Sequence, residues 1–246
     1  MNGRVRVSLL RRTADPETAV ALAARLCYSP DGIDDLERGV DAAGAAVLIR
    51  RILGLGHLSV LEHAAFSFGI EGLSRAASHQ LVRHRVASYS QQSQRYVTAS
   101  EDFEHVVPPA IAERPELARL FARAMRDAGK RYRELLAAGV PAEDARFVLP
   151  NAAATRIIVT MNARELRHFF TLRCCLRAQW EIRGLAERML GLVRTAAPVL
   201  FEKCGPSCIT GSCPEGKLSC GRLREVRAAY RAWLAGEPLP PLALAD

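Results

Sequence analysis

Residues 83–96 read Arg-His-Arg-Val-Ala-Ser-Tyr-Ser-Gln-Gln-Ser-Gln-Arg-Tyr, and no other stretch of the chain limits its architecture so strongly. Three arginines, a histidine, three serines and three glutamines are crowded together here. A buried polar group without a partner costs about 1 to 3 kcal/mol, so such a segment is poor material for a core. The fold must leave it where its donors meet a ligand or water. Guanidinium forks match phosphate and carboxylate geometry, which points to a phosphorylated, hydrogen-bonding ligand such as a nucleotide. The competing reading is a solvated basic helix face running into a surface loop.

Local periodicity adds shape. Leu73, Ala76, Ala77 and Leu81 recur at helical spacing and leave Gln80, Arg83 and His84 together on another face. Beyond Ser88 the alternation suits an extended segment, with Gln91, Ser93 and Arg95 on one side and Gln92, Gln94 and Tyr96 on the other. The spacing predicts a helix end followed by a polar strand.

Elsewhere, strands are expected over residues 4–11, 64–70 and 156–161. Helices are expected from Pro16 to about Tyr28, over 34–53, over 115–138 ahead of Gly139, and briefly over 141–147. Asn162 and Glu165 make a capping box for a helix reaching Cys175, and residues 178–200 supply the last long helix. Strands and helices alternate irregularly, without repeated strand–helix units or a Gly-x-Gly-x-x-Gly turn. That argues for an α+β fold, a mixed or antiparallel sheet with long helices packed around it, rather than a doubly wound one.

A chain of 246 residues fits one large domain or two small ones, and 49% apolar with 24% charged residues gives no reason to split it. One domain is expected over 1–236, including a cysteine-rich loop at 204–220, followed by a flexible tail over 237–246. The net charge of +8 favours polyanionic ligands without choosing among them. The first residues lack a secretory signal, so a cytoplasmic location is expected. The apolar run over 42–53 is cut by Arg50 and Arg51, far short of the roughly 20 residues that a membrane span needs.

Cys27, Cys174 and Cys175 sit in apolar helical contexts and read as small hydrophobes. Cys204, Cys208, Cys213 and Cys220 cluster in a glycine- and proline-rich run, where a structural zinc, disulfides or free thiols are the options. The wide gaps favour free thiols, so no metal site is assigned. His57 and His63 read as hydrogen-bonded structural histidines.

The run Arg83-His84-Arg85, Ser93, Gln94-Arg95-Tyr96 resembles the signature of the flavin-dependent thymidylate synthases. Gly56-His57-Leu58-Ser59-Val60-Leu61-Glu62-His63 is similar to the same family's upstream element. Ala145 to Pro150, Asn162-Ala163-Arg164 and Leu172-Arg173 are similar to its downstream half. The resemblance implies reductive methylation of dUMP to dTMP, with FAD as bound cofactor and NADPH and methylenetetrahydrofolate as co-substrates. It also implies a homotetramer with active sites at subunit interfaces, and no nucleic-acid or membrane partner. Carried over by position, FAD would meet Ser59, Arg83, His84, Arg85, Gln91, Asn162, Ala163, Arg164 and His168. For dUMP the carried-over positions are Gln80, Leu81, Val82, Arg83, Gln91, Gln92, Ser93, Gln94, Arg95, Arg146 and Arg173.

Carbon 5 of a uracil ring must become nucleophilic before it accepts a carbon. Charge stabilisation of the ring edge by an arginine achieves this without a cysteine adduct. Arg173 occupies the family's activating position and is the expected catalytic residue. Many members carry glutamate where Gln91 stands, which leaves Gln91 hydrogen-bonding reach without charge. On a helix Arg164 and His168 share a face, while Arg173 lies about 140° around from His168. Two alternatives remain. One is another FAD-dependent nucleotide-modifying enzyme. The other is a zinc-containing nucleic-acid-binding protein, which calls for exposed aromatics among basic residues where aromatics are only 6%.

Overall fold

The computed structural model describes residues 5–99 and 102–237. The tail expected over 237–246 falls, Glu237 apart, outside them. In chain order the elements are β1 (Arg6–Arg12), α1 (Pro16–Leu26), α2 (Ile33–Arg38), α3 (Ala42–Leu55), β2 (Ala65–Ser74), α4 (Arg75–Leu81) and β3 (Ala87–Gln91). There follow α5 (Pro109–Ala112), α6 (Pro115–Ala137), α7 (Ala142–Ala145), β4 (Ala154–Asn162), α8 (Ala163–Arg173), α9 (Trp180–Ala196) and α10 (Leu223–Leu234). The fold is α+β, as the irregular alternation implied.

The strands form one sheet in the order β1-β2-β4-β3. Thr13 N–H donates to Ala65 O, so the end of β1 meets the start of β2. At one end of the β2–β4 pair Ala163 N–H donates to Ala64 O, and at the other Arg75 N–H donates to Ala153 O. Both pairs of strands are therefore antiparallel. Along β2 the buried series runs Phe66, Phe68, Ile70 and then Leu73 rather than residue 72. Gly72, with φ of 74°, inserts the extra residue of a bulge, and the pairing with β4 slips by one between Ser67–Thr160 and Arg75–Ala153.

Two compact units divide the chain. The first holds residues 5–6, Gly69–Arg83 and Tyr89–Val159, and its α6 turns Met125, Gly129 and Tyr132 inward. A small core of Phe103, Met125 and Ala153 is extended there by Phe121, Ala128 and Leu149. The second unit holds Val7–Phe68, His84–Ser88 and residues 160–237. Its centre is a chain of edge-to-face rings: Phe66 to Phe201 at 5.4 Å, Phe201 to Phe170 at 6.0 Å, Phe170 to Phe169 at 5.7 Å. Full burial of each ring is worth about 1.5 to 3 kcal/mol, which fixes the helices that carry them.

Several boundaries differ from the sequence expectation, each for a local reason. The helix expected over 34–53 is two helices, because Gly39 closes α2 and the Asp41 side chain accepts the Gly44 N–H at 2.6 Å to start α3. The helical pattern read from Leu73 begins only at Arg75, where Ser74 caps α4 by accepting from Ala77 N–H at 3.0 Å. It ends at Leu81. Gln80, Arg83 and His84 consequently do not share a helical face: Arg83 is exposed and His84 buried. The polar strand stops at Gln91, since Ser93 forms a turn by accepting from Arg95 N–H through Oγ and from Val97 N–H through its carbonyl. Helix α8 stops at Arg173, the long helix expected over 178–200 is α9, and a shorter helix that the sequence reading lacks, α10, follows it. No helix among the described residues is long and apolar enough to cross a membrane.

Candidate active site

In the second unit the start of α8 sets up a run of hydrogen bonds. Asn162 caps the helix by accepting the Glu165 N–H at 2.9 Å. The Glu165 carboxylate does not turn back on Asn162 as a capping box would have it, but lies 3.0 Å from His84 Nδ1. Arg173 Nε, at the far end of the same helix, donates to His84 Nε2 at 3.1 Å. An arginine Nε only donates, so Nε2 is the acceptor and the imidazole proton sits on Nδ1, facing Glu165.

The electrostatics agree. Burial, the Arg173 charge and His168 together lower His84 to about 4, so its ring is neutral near pH 7. Burial pushes the Glu165 carboxyl up, with His168 pulling the other way. The His84–Glu165 contact is thus a hydrogen bond from a neutral ring rather than an ion pair. Burial also lowers Arg173, yet a guanidinium keeps its charge at neutral pH. The outcome is a cation whose plane is set by a buried, doubly hydrogen-bonded histidine.

One side of α8 lines a cleft of about 1070 Å³ in this unit, through Asn162, Arg164, Glu165, His168 and Thr171. Arg50, Glu62, Arg167, Glu202 and Lys203 also face it. Arg164 meets Glu62 at 2.6 Å and Arg50 meets Glu202 at 2.8 Å, whereas Arg167 donates to Leu200 O at 2.6 Å and Cys204 Sγ at 3.1 Å. The volume lies at the upper end of ligand sites, and the cationic and amide donors suit a phosphorylated cofactor, so the residues present fit a flavin nucleotide. Of the positions carried over for FAD, Asn162, Arg164 and His168 line this cleft. Ser59 opens the short turn Ser59–His63 that brings Glu62 to it, while Ala163 is fully buried and Arg85 is exposed. His84 presents neither ring nitrogen, both being hydrogen-bonded. Arg83 and Gln91 belong to the first unit.

Most of the nucleotide set lies in the first unit. Gln91 Nε2 donates to Ser78 Oγ at 3.0 Å and to Thr155 Oγ1 at 3.3 Å. Arg95 pairs with Glu143 at 2.6 Å, and Arg146 donates through Nε to the Glu143 carbonyl at 3.0 Å. Arg75, which the sequence did not single out, donates to Gln92 O at 3.0 Å while its Nε is buried without a partner. Burial and the Arg146 charge lower its pKa. Two arginines held in mutual repulsion, one with an orphaned donor, form a place an anion would neutralise. No periodic signal marks it, since Arg75 lies off the apolar series of Leu73, Ala76, Ala77 and Leu81.

Cys174 is buried, as its apolar context implied, but two other thiols are placed otherwise. Cys27 is exposed, and Cys175 is only half-buried because it follows the end of α8. Cys204 is buried and pushed up to about 11, although Arg167 and Arg194 oppose the shift. His57 Nδ1 is 3.1 Å from Tyr28 Oη, a hydrogen-bonded histidine. Among the described residues no three His, Cys, Asp or Glu side chains already stand at metal-ligand spacing.

Known proteins resemble this chain over nearly its whole length. The family model described as "Thymidylate synthase complementing protein" matches residues 8–199. The flavin-dependent thymidylate synthase of Geobacter sulfurreducens is 59% identical over 228 residues, covering 92% of this chain and 98% of that protein. The enzyme of the same name from Clostridium tetani is 45% identical over 242 residues, covering 92% and 97%. Among solved structures, the UMP/dUMP methylase PolB from Streptomyces cacaoi, bound with 5-Br dUMP, aligns with a TM-score of 0.71 at 27% identity, over 80% of this chain and 93% of that one. The fold, the motif-bearing cleft and these likenesses agree, and the chain belongs to the flavin-dependent thymidylate synthase family.

Proposed function

We propose that this chain is a flavin-dependent thymidylate synthase that converts dUMP to dTMP, and that Arg173 is its activating residue. The observation that carries this reading is the Arg173 guanidinium held by a neutral, buried His84. Negative charge on the uracil edge, which makes carbon 5 nucleophilic, would be stabilised by a cation that needs little reorganisation. The thiols next in sequence are poor nucleophiles: Cys174 is fully buried and pushed well up, and burial raises Cys175. FAD reduced by NADPH supplies the hydride when bound, and methylenetetrahydrofolate supplies the carbon.

In this reading Asn162, Arg164 and His168 hold the flavin, with Ser59, Ala163, Arg83, His84, Arg85 and Gln91 contributing as family membership implies. The dUMP set is Gln80 to Arg83, Gln91 to Arg95, Arg146 and Arg173, and the orphaned Arg75 Nε adds a further donor for the phosphate. Exposed Phe147 and Val86 are compatible with a homotetramer whose subunits share active sites, working in the cytoplasm. Adding dUMP to the FAD-loaded protein tests both sites together. The expected result is a shift in the flavin absorbance band that saturates with dUMP. A colourless protein that cannot be reconstituted with FAD contradicts the assignment. The likeness to a UMP/dUMP methylase favours one second reading, a flavoenzyme for another uridine nucleotide. A UMP titration that gives the tighter spectral response would select it.

A further inference from the structure

Four thiols that the proposed reaction does not use line one cavity in the second unit. Cys175 comes from the turn after α8, Cys208 from the short turn Ser207–Ile209, and Cys213 and Cys220 from either side of the turn Gly216–Leu218. All four line a single cavity of about 340 Å³. None is in a disulfide. Cys204, first in the sequence cluster, is not of this group: it accepts from Arg167 and lines the large cleft.

We infer that Cys175, Cys208, Cys213 and Cys220 form a binding site for one structural zinc ion per chain. Four cysteine sulfurs are a ligand set that zinc takes in tetrahedral structural sites, at Zn–S distances of about 2.3 Å. On binding, four S–H bonds break, four S–Zn bonds form, and the protons leave to solvent. The resulting centre carries a charge of −2, and Arg177 lines the same cavity to offset it. The sulfurs do not yet stand at ligand spacing, so the ion must draw them together. The loop allows this. Between Ala196 and Leu223 its only helical pieces are the two short turns, and Gly216 and Gly221 at φ of 52° and 72° give it backbone freedom. A closed site would fasten that loop to the end of α8, one turn from the arginine on which turnover is proposed to depend.

Zinc content is read without substrate or flavin, so this inference and the proposed activity fail separately. The full chain, purified under reducing conditions and freed of loose metal by gel filtration, is expected to hold one zinc per chain. X-ray absorption at the zinc edge should show four sulfurs. Titrating the native protein with a mercurial should release that zinc into a chromogenic indicator as four thiols react. Cys208→Ser and Cys175→Ser should each lower zinc content about tenfold, whereas Cys204→Ser should retain it. If the serine variants do not fold, the wild-type metal content and its edge spectrum still decide. Zinc below about a tenth of an equivalent in reduced protein, an iron–sulfur chromophore, disulfides among the four cysteines, or zinc lost from Cys204→Ser but kept in Cys175→Ser would each overturn the site.

Discussion

His84 gives the account its sharpest consequence in solution. In the folded chain Glu165, His168 and Arg173 face the ring, and its pKa falls from 6.5 to about 4. Unfolding returns it to the ordinary value. Between these two pKa values the unfolded state binds a proton that the native state refuses, so stability must fall as the pH drops through that window. The full difference corresponds to about 3 kcal/mol, of which about 2 kcal/mol should already be lost at pH 5 relative to pH 7. Glu165 runs the opposite way, since its raised pKa favours the native state as acid is added, so the wild-type curve alone mixes both groups. His84→Gln separates them: the amide can donate to Glu165 and accept from Arg173, yet does not titrate. Urea unfolding at fixed protein concentration, followed at several pH values between 4.5 and 7.5, should show His84→Gln with a shallower acid loss than wild type by about 2 kcal/mol at pH 5. Parallel curves for the two proteins would refute the buried neutral histidine, and with it the orientation assigned to Arg173.

Two substitutions probe the site more locally. Arg173→Ala should lower turnover by about 10² to 10³ while the yellow protein keeps its flavin, because the guanidinium is proposed to act on developing charge and the proposed flavin cleft lies along another side of α8; near-normal turnover would remove the activating role. Gln91→Glu should cost about 1 kcal/mol in urea unfolding, because Ser78 Oγ already donates to the Arg75 carbonyl and a carboxylate cannot supply the donor that Gln91 now gives it. A variant as stable as wild type would mean that this amide hydrogen bond carries no weight.

The sequence was most readable where one local rule governs. The Ile157-Ile158-Val159 run became strand, Asn162 capped α8, and the Pro115 to Gly139 limits bounded α6, since each depends on neighbours within a turn or two. It was least readable where distant residues decide. Glu165 reads in the sequence as half of a capping box, but His84, 81 positions away, takes its carboxylate. Cys175 reads as a small hydrophobe from its apolar helical context, and only the path of the 204–222 loop shows that it lines one cavity with Cys208, Cys213 and Cys220. Arg75 gave no periodic signal, because its importance lies in a donor left without a partner. Helix α10 was missed although Val226, Ala229 and Tyr230 are buried on one side of it; the preceding glycine- and cysteine-rich run masked where its amphipathic pattern begins.

What unites these residues is a fixed positive charge, Arg173 held by His84, on the helix that lines the proposed flavin cleft. Release of tritium from dUMP labelled at carbon 5, followed together with dTMP formation in the FAD-loaded protein given NADPH and methylenetetrahydrofolate, tests that arrangement most directly. The account predicts that label appears in water in step with dTMP. A protein that binds both FAD and dUMP yet leaves the label on the ring would contradict it.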